Sequence, residues 1–239
     1  MQYQNPYSID GSACAAMAVE SERTAFIRKT YIHLAGACFA FIALEAVFLS
    51  LFPARAVGAF LGGMGGWAPM VMMVSFMAVS WVANSWASSG TSQTIQYLGL
   101  GLYVVAEALI FVPIMHIAMG IDTGIPIQAG LITAIVFGGL TAFVFMTNAD
   151  FSSWCKYLGL AGLALFAVAI VGMLTGFSLG LFFSGAMIAL LCGYILYDTS
   201  NVMRHYQVTQ HVAASLALFS SVATMLWYVM RILMSTRDN

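Results

Sequence analysis

Residues 178–201 read SLGLFFSGAMIALLCGYILYDTSN, an apolar run that meets its first charge at Asp198 and then turns polar. Crossing a hydrocarbon core of about 30 Å at 1.5 Å per residue needs about 20 apolar residues, so this stretch predicts a membrane-spanning helix. Six more stretches of that kind surround it. The spans are expected near 31–52, 67–87, 97–118, 127–147, 157–175, 178–198 and 212–234. Each is apolar around most of its circumference, which argues for helices; strands of an outer-membrane barrel would alternate in short segments.

The composition agrees. Of 239 residues, 62% are hydrophobic and 7% charged, and the mean hydropathy is +0.92. A typical soluble protein carries about 25% charged residues. With 8 Lys+Arg against 9 Asp+Glu the formal net charge is -1, so no basic surface exists for a nucleic-acid partner. Lys29 and Lys156 are the only lysines. The cysteines Cys14, Cys38, Cys155 and Cys192 form no C-x-x-C pair and read as free thiols.

Residues 1–24 lack a basic start and an apolar core, so they read as a short flexible cytosolic lead-in and not a signal peptide. Gly11-Ser12-Ala13 before Cys14 has no apolar stretch upstream, which removes a lipoprotein reading. Residues 235–239 form a short C-terminal tail. The connections 53–66 and 199–211 are too short for a folded domain, so activity is expected within the helices or at their mouths.

Basic residues set the expected orientation. An inside N-terminus places Arg23, Arg28, Lys29, Lys156 and Arg204 on the cytoplasmic side, leaving Arg55, Arg231 and Arg237 opposite. Trp67, Trp81, Trp86, Trp154 and Tyr157 lie near span ends as interfacial anchors.

Ionisable groups inside a membrane cost roughly 2.5–3.5 kcal/mol each on insertion scales, so each one needs a reason. They are Glu45, Glu107, Asp198 and Arg231, with His33 and His116 closer to the interfaces. Helical rise places Glu45 about 21 Å and Arg231 about 28 Å from the starts of their spans, compatible with a structural ion pair. Glu107 lies about 15 Å into its span with no basic residue at its depth. It reads either as a neutral hydrogen-bonded carboxyl or as a proton or cation site, and Pro113 beyond it is expected to kink the helix. Asp198 is expected to end its helix, where a carboxylate opposes the macrodipole unless Arg204, His205 or His211 compensates. The small residues Gly159, Gly162, Gly172, Gly176, Gly180, Gly185, Ala186 and Ala189 predict close helix packing.

Enzymatic signatures are missing from the sequence. The last span has no lysine for a retinal Schiff base, and no His-Glu-x-x-His, G-x-S-x-G or phosphate-binding glycine loop occurs. Neither a cofactor nor a catalytic residue is expected, and no set of metal ligands is assigned.

Three markers in order carry a family resemblance: Phe26-Ile27-Arg28-Lys29-Thr30-Tyr31, Asp150-Phe151-Ser152, and Tyr197-Asp198-Thr199-Ser200-Asn201. With seven spans over residues 25–234, the chain resembles the Bax inhibitor-1 (TMBIM) family, especially its bacterial YccA-like branch. The resemblance implies an all-α, multi-pass bundle with six helices around a central seventh, in the bacterial cytoplasmic membrane. For some members it implies a pH-sensitive leak for calcium or another cation, gated by two aspartates that share a proton. Asp198 matches the first aspartate; the second falls at Ser221, and the asparagine usual three residues later falls at Thr224. One half of the sensor is therefore expected to be missing, with pH gating weakened. Glu45 and Arg231 match positions of a family ion pair. The same resemblance implies an alternative in which the protein transports nothing and regulates an FtsH-type membrane protease.

Overall fold

The computed structural model describes residues 14–90, 92–176 and 179–237. Eight α-helices build it: α1 (Glu20–Leu51), α2 (Ala54–Met64), α3 (Ala68–Ala87), α4 (Gln93–Ile121), α5 (Ile125–Thr147), α6 (Cys155–Thr175), α7 (Leu181–Arg204) and α8 (His211–Arg237). Seven segments are long and apolar enough to cross a membrane, with α2 and α3 together making the second. Among the described residues no strand forms beyond one isolated bridge, between Cys14 and Gln207. The expected all-α bundle is what the chain adopts.

The helices end where the sequence supplies the means. Ser92 caps α4 by accepting the Ile95 N–H. Asn148 and Gly176 close α5 and α6 in the left-handed conformation, which glycine and asparagine adopt most readily. Pro69 and Pro126 stand in the first turns of α3 and α5, where no helical N–H is lost.

Because successive spans alternate in direction, one face of the bundle gathers the ends of α3, α5 and α7 with the starts of α4, α6 and α8. We call it the near face, and the face where α1 and α8 end the far face. Helix α8 lies at the centre, packed against α1, α3, α4, α5 and α7, whereas α6 rests on α7. In the most apolar window of α4 and of α8, 56% is buried, against 11% for α6. The core runs along α8 through Leu216, Phe219, Ala223 and Met230, meeting Phe41, Phe111 and Ile195 from its neighbours. Phe41 packs edge-on against Phe111 and Phe219, which ties α1, α4 and α8 together at one level.

Three expectations change. The connection 53–66 contains a helix, α2, whose residues are all at least partly exposed. Its apolar side chains recur at helical spacing, a signal too short to read as a span. The lead-in 1–24 is helical from Glu20, and Cys14–Ala16 run against the α7–α8 connection. There the Ala15 N–H donates to the Tyr206 carbonyl (2.9 Å) and the Ala16 N–H to the Arg204 carbonyl (3.2 Å). Residues 1–13, with Gly11-Ser12-Ala13, and 238–239 of the tail lie outside the described residues.

Close approach falls on only part of the small-residue stripe. A Cβ on Gly162 would lie 3.1 Å from the Tyr194 hydroxyl and one on Gly172 3.0 Å from Leu179, whereas one on Gly159, Gly180 or Gly185 would meet nothing within 4 Å. A Cβ on Gly99 would meet the Ala83 carbonyl oxygen and the Ala87 nitrogen at 2.6 Å, so α4 and α3 touch backbone to backbone there.

Candidate functional site

Asp198 does not end its helix. α7 continues six residues further, to Arg204, about 9 Å along the axis. The polar run survives in helical form because its side chains find partners in the bundle. Thr199 and Ser200 are fully buried, and Ser200 Oγ accepts the Phe151 N–H at 3.1 Å. The expected compensation of Asp198 by Arg204, His205 or His211 is likewise absent from the contacts. Arg204 donates to the Asn148 carbonyl, and His211 meets Tyr97.

What faces Asp198 is α8. Ser221 Oγ donates to Asp198 Oδ2 at 2.9 Å, with Asp198 9% and Ser221 7% exposed. The two positions at which the resemblance places a pair of carboxyls are thus in contact, one carrying a carboxyl and the other a hydroxyl.

Glu107 lies on the other flank of α8. Tyr103, one turn back on α4, packs on Phe219 and donates to Ser220 Oγ at 2.8 Å. Phe111, one turn on, packs on Trp227. Glu107 therefore sits at the level of Ala223 and Thr224, 4% exposed, and its Oε2 has no hydrogen-bond partner among the described residues. Thr224 turns its hydroxyl back onto the Ser220 carbonyl. α8 thus carries hydroxyls on two flanks: Ser221 to Asp198, and Ser220 to the Tyr103–Glu107 side.

The expected Glu45–Arg231 pair does not form. From the level where Phe41 meets Phe219, Glu45 lies four residues outward, about 6 Å, and Arg231 twelve residues outward, about 18 Å. Counting depth from the start of each apolar run missed this 12 Å offset, because α1 begins well before its apolar part. Arg231 donates to the Leu179 carbonyl at 3.1 Å, and Glu45, 4% exposed, has both carboxyl oxygens unpartnered among the described residues. The one ion pair among those residues joins Arg237 to Asp122 on the far face.

Sequence reading passed over a polar cluster nearer the near face. His33 of α1, Tyr97 of α4 and His211 of α8 meet there. The His33 and His211 ring centres are 5.0 Å apart, and the Tyr97 hydroxyl lies 3.2 Å from His211 Nε2. The His33 Nδ1–H donates to the Lys29 carbonyl at 2.6 Å. His116, by contrast, is on the far face, its Nε2 2.7 Å from the Phe52 carbonyl oxygen. The tyrosines and serines of these contacts carried no signal in the sequence, since neither type is rare inside apolar spans.

Asp150, exposed on the near face, accepts the Ser152 N–H at 2.9 Å, which holds its carboxyl below the usual carboxylate range. It also links the loop to Ser200, two residues beyond Asp198. Among the described residues no group of three or more His, Cys, Asp or Glu side chains is arranged to hold a metal ion. The chemistry this arrangement offers is that of protonatable carboxyls flanking a hydroxyl-bearing central helix.

The family model described as "Inhibitor of apoptosis-promoting Bax1" matches residues 23–238. The chain is 24% identical to mouse Protein lifeguard 4 over 229 residues, covering 92% of this chain and 89% of that protein. It is 25% identical to Bax inhibitor 1 of Schizosaccharomyces pombe over 226 residues, covering 94% and 81%. The Golgi anti-apoptotic protein of vaccinia virus strain Lister is 24% identical over 235 residues, covering 93% and 90%. No solved structure matches the chain.

Proposed function

The chain belongs to the family of the inhibitor of apoptosis-promoting Bax1, and on that premise we propose that it is a cation leak or ion-homeostasis protein with weakened pH gating. It is an integral, multi-pass membrane protein with anti-apoptotic relatives. The observation that carries the reading is the Ser221–Asp198 hydrogen bond of 2.9 Å at the centre of the bundle. Two carboxyls in contact would titrate as one coupled unit. A hydroxyl opposite Asp198 keeps the contact and removes the second titrating group, so the path has one acid where a gated member has two. Glu107, buried with an unpartnered oxygen on the opposite flank of α8, supports a second proton or cation position along the same helix. Neither group needs a cofactor, and no step of this kind is enzymatic. The bias of Lys and Arg supports a cytoplasmic N-terminus, and the resemblance to the YccA-like branch supports a bacterial cytoplasmic membrane.

Calcium and proton flux in proteoliposomes between about pH 5 and pH 8 tests the reading. Wild type is expected to conduct with shallow pH dependence, Asp198→Asn and Glu107→Gln to reduce the flux, and Ser221→Asp to steepen its pH dependence. Equal flux in wild type, the Asp198 and Glu107 variants and empty vesicles sinks the proposal.

The second reading rests on the same serine. The YccA-like branch also departs at this position and is associated with regulating an FtsH-type protease, for which no ion path is needed. Recovery of a protease complex that depends on residues 1–24, from a protein without flux, favours it.

A further inference from the structure

Between α2, α3 and α4 on the far side lies a cavity of about 520 Å³ that none of the carboxyls enters. Its walls include Val57, Phe60, Phe76, Ala106, Ile110 and Pro113, and Ser75 is the single wall residue with a side-chain hydroxyl. The volume lies within the range of about 300–1,000 Å³ usual for ligand sites. The sequence builds this space deliberately. α2 presents apolar side chains at helical spacing yet buries none of its residues, so it stands away from the bundle. Gly65, at φ +59°, turns the chain between α2 and α3 in a conformation other residues resist. Opposite, Pro113 interrupts the hydrogen bonding of α4 at the cavity wall.

The shape and surroundings select the occupant. Wall residues run from Met72 to Val79 on α3 and from Ala106 to Pro113 on α4, a rise of seven residues in each, so the slot is about 10 Å long and parallel to the helix axes. Phe60 and Leu109 at its sides are 64% and 46% exposed, so it opens laterally, toward lipid. An ordered water needs two to four polar partners, which these walls do not provide. A flexible apolar chain lying along the membrane normal satisfies every wall. At the far-face end, Arg55 in the first turn of α2 brings a cation to headgroup level.

We propose that this slot binds one acyl chain of a bilayer phospholipid, inserted between α2 and the α3–α4 pair with its headgroup beside Arg55. The site is independent of the ion path and stands whether or not the protein conducts.

Native mass spectrometry of the full-length protein in detergent, with the extracted lipid identified, tests it. Wild type is expected to retain one phospholipid through detergent exchange. Ala106→Trp fills the slot and is expected to lower retention about tenfold. Val57→Trp fills it from the α2 side without touching the core, so it decides the matter if the first variant does not fold. Arg55→Gln is expected to shift the retained lipid away from anionic headgroups. Absence of bound phospholipid from wild type, a different apolar molecule in its place, or equal retention in the folded filling variants overturns the proposal.

Discussion

The near and far halves of the bundle are built on different terms. In the near half, α3 and α4 touch at Gly99, and Ser221 meets Asp198. Ser215 Oγ lies 2.8 Å from the Thr30 carbonyl and 2.6 Å from the His211 carbonyl. Arg204 ties α7 to the end of α5, and residues 14–16 close over the α7–α8 connection. In the far half, α2 stands off a cavity, Arg231 holds a loop carbonyl, and Arg237 reaches Asp122 and Gln128 from the end of α8. The contrast teaches that the central helix is held by buried contacts at one end and by arginine side chains nearer the surface at the other. Buried bonded groups in the near half resist movement; partly exposed arginine contacts and an apolar slot in the far half resist it less.

The largest expected effect breaks the anchor. Gly99→Val pushes a side chain into the backbone of α3 and is expected to cost about 3 kcal/mol, read from unfolding in detergent micelles. The same change at Gly62 in α2, where a Cβ meets nothing within 4 Å, is expected to shift stability by less than about 1 kcal/mol. Equal losses would erase the distinction between the halves.

Next comes the central contact. Ser221→Ala strips Asp198 of its donor and is expected to destabilise by about 1–3 kcal/mol in the same assay. A carboxyl of α1 at mid-depth has the opposite sign. Glu45→Leu removes a buried carboxyl that has no partner among the described residues and is expected to stabilise by about 1 kcal/mol. A loss of stability in Glu45→Leu would mean that Glu45 pairs with Arg231 in the membrane after all.

Two smaller effects sharpen the edges. Arg237→Gln breaks the partly exposed pair with Asp122 and is expected to cost under about 1 kcal/mol, less at high salt. Asp150 has its carboxyl held below the ordinary range by the Ser152 N–H, so its contribution is complete above the unfolded pKa of about 3.9 and disappears as pH falls through the lower folded value. Asp150→Asn is therefore expected to remove a small stabilisation at neutral pH, to flatten the acid limb below about pH 4, and to leave stability nearly unchanged below both pKa values.

Much of this was legible beforehand, for definite reasons. Seven apolar runs of membrane-spanning length leave little choice of fold, and the central place of α8 followed from the resemblance. Asp198 stood out because a charge in an apolar helix is expensive, and the serine opposite it could be placed by counting back from Arg231. Helix ends were less legible. Hydrogen-bonding side chains such as Thr199 and Ser200 read as a terminus when taken alone, and only burial against the Asp150–Phe151 loop keeps them helical. Depth failed as a guide to pairing, since counting from the span starts puts both Glu45 and Arg231 in the outer half, yet they sit about 12 Å apart along the bundle. α2 was invisible because 11 residues cannot span a membrane, and length was the signal being read.

The central position of α8 also sets the order of assembly. It follows the other six spans in the chain, so a ribosome feeding the membrane delivers the middle of the bundle after its walls. Until α8 arrives, Asp198 has no Ser221, Tyr103 has no Ser220, and Thr30 has no Ser215. The six-helix intermediate must shelter those groups with water or with one another, and insertion of the last helix is the event that makes the walls dry. Biogenesis is therefore the stage at which a weakened α8 should first be felt, as nascent protein sent to quality control before any mature bundle exists.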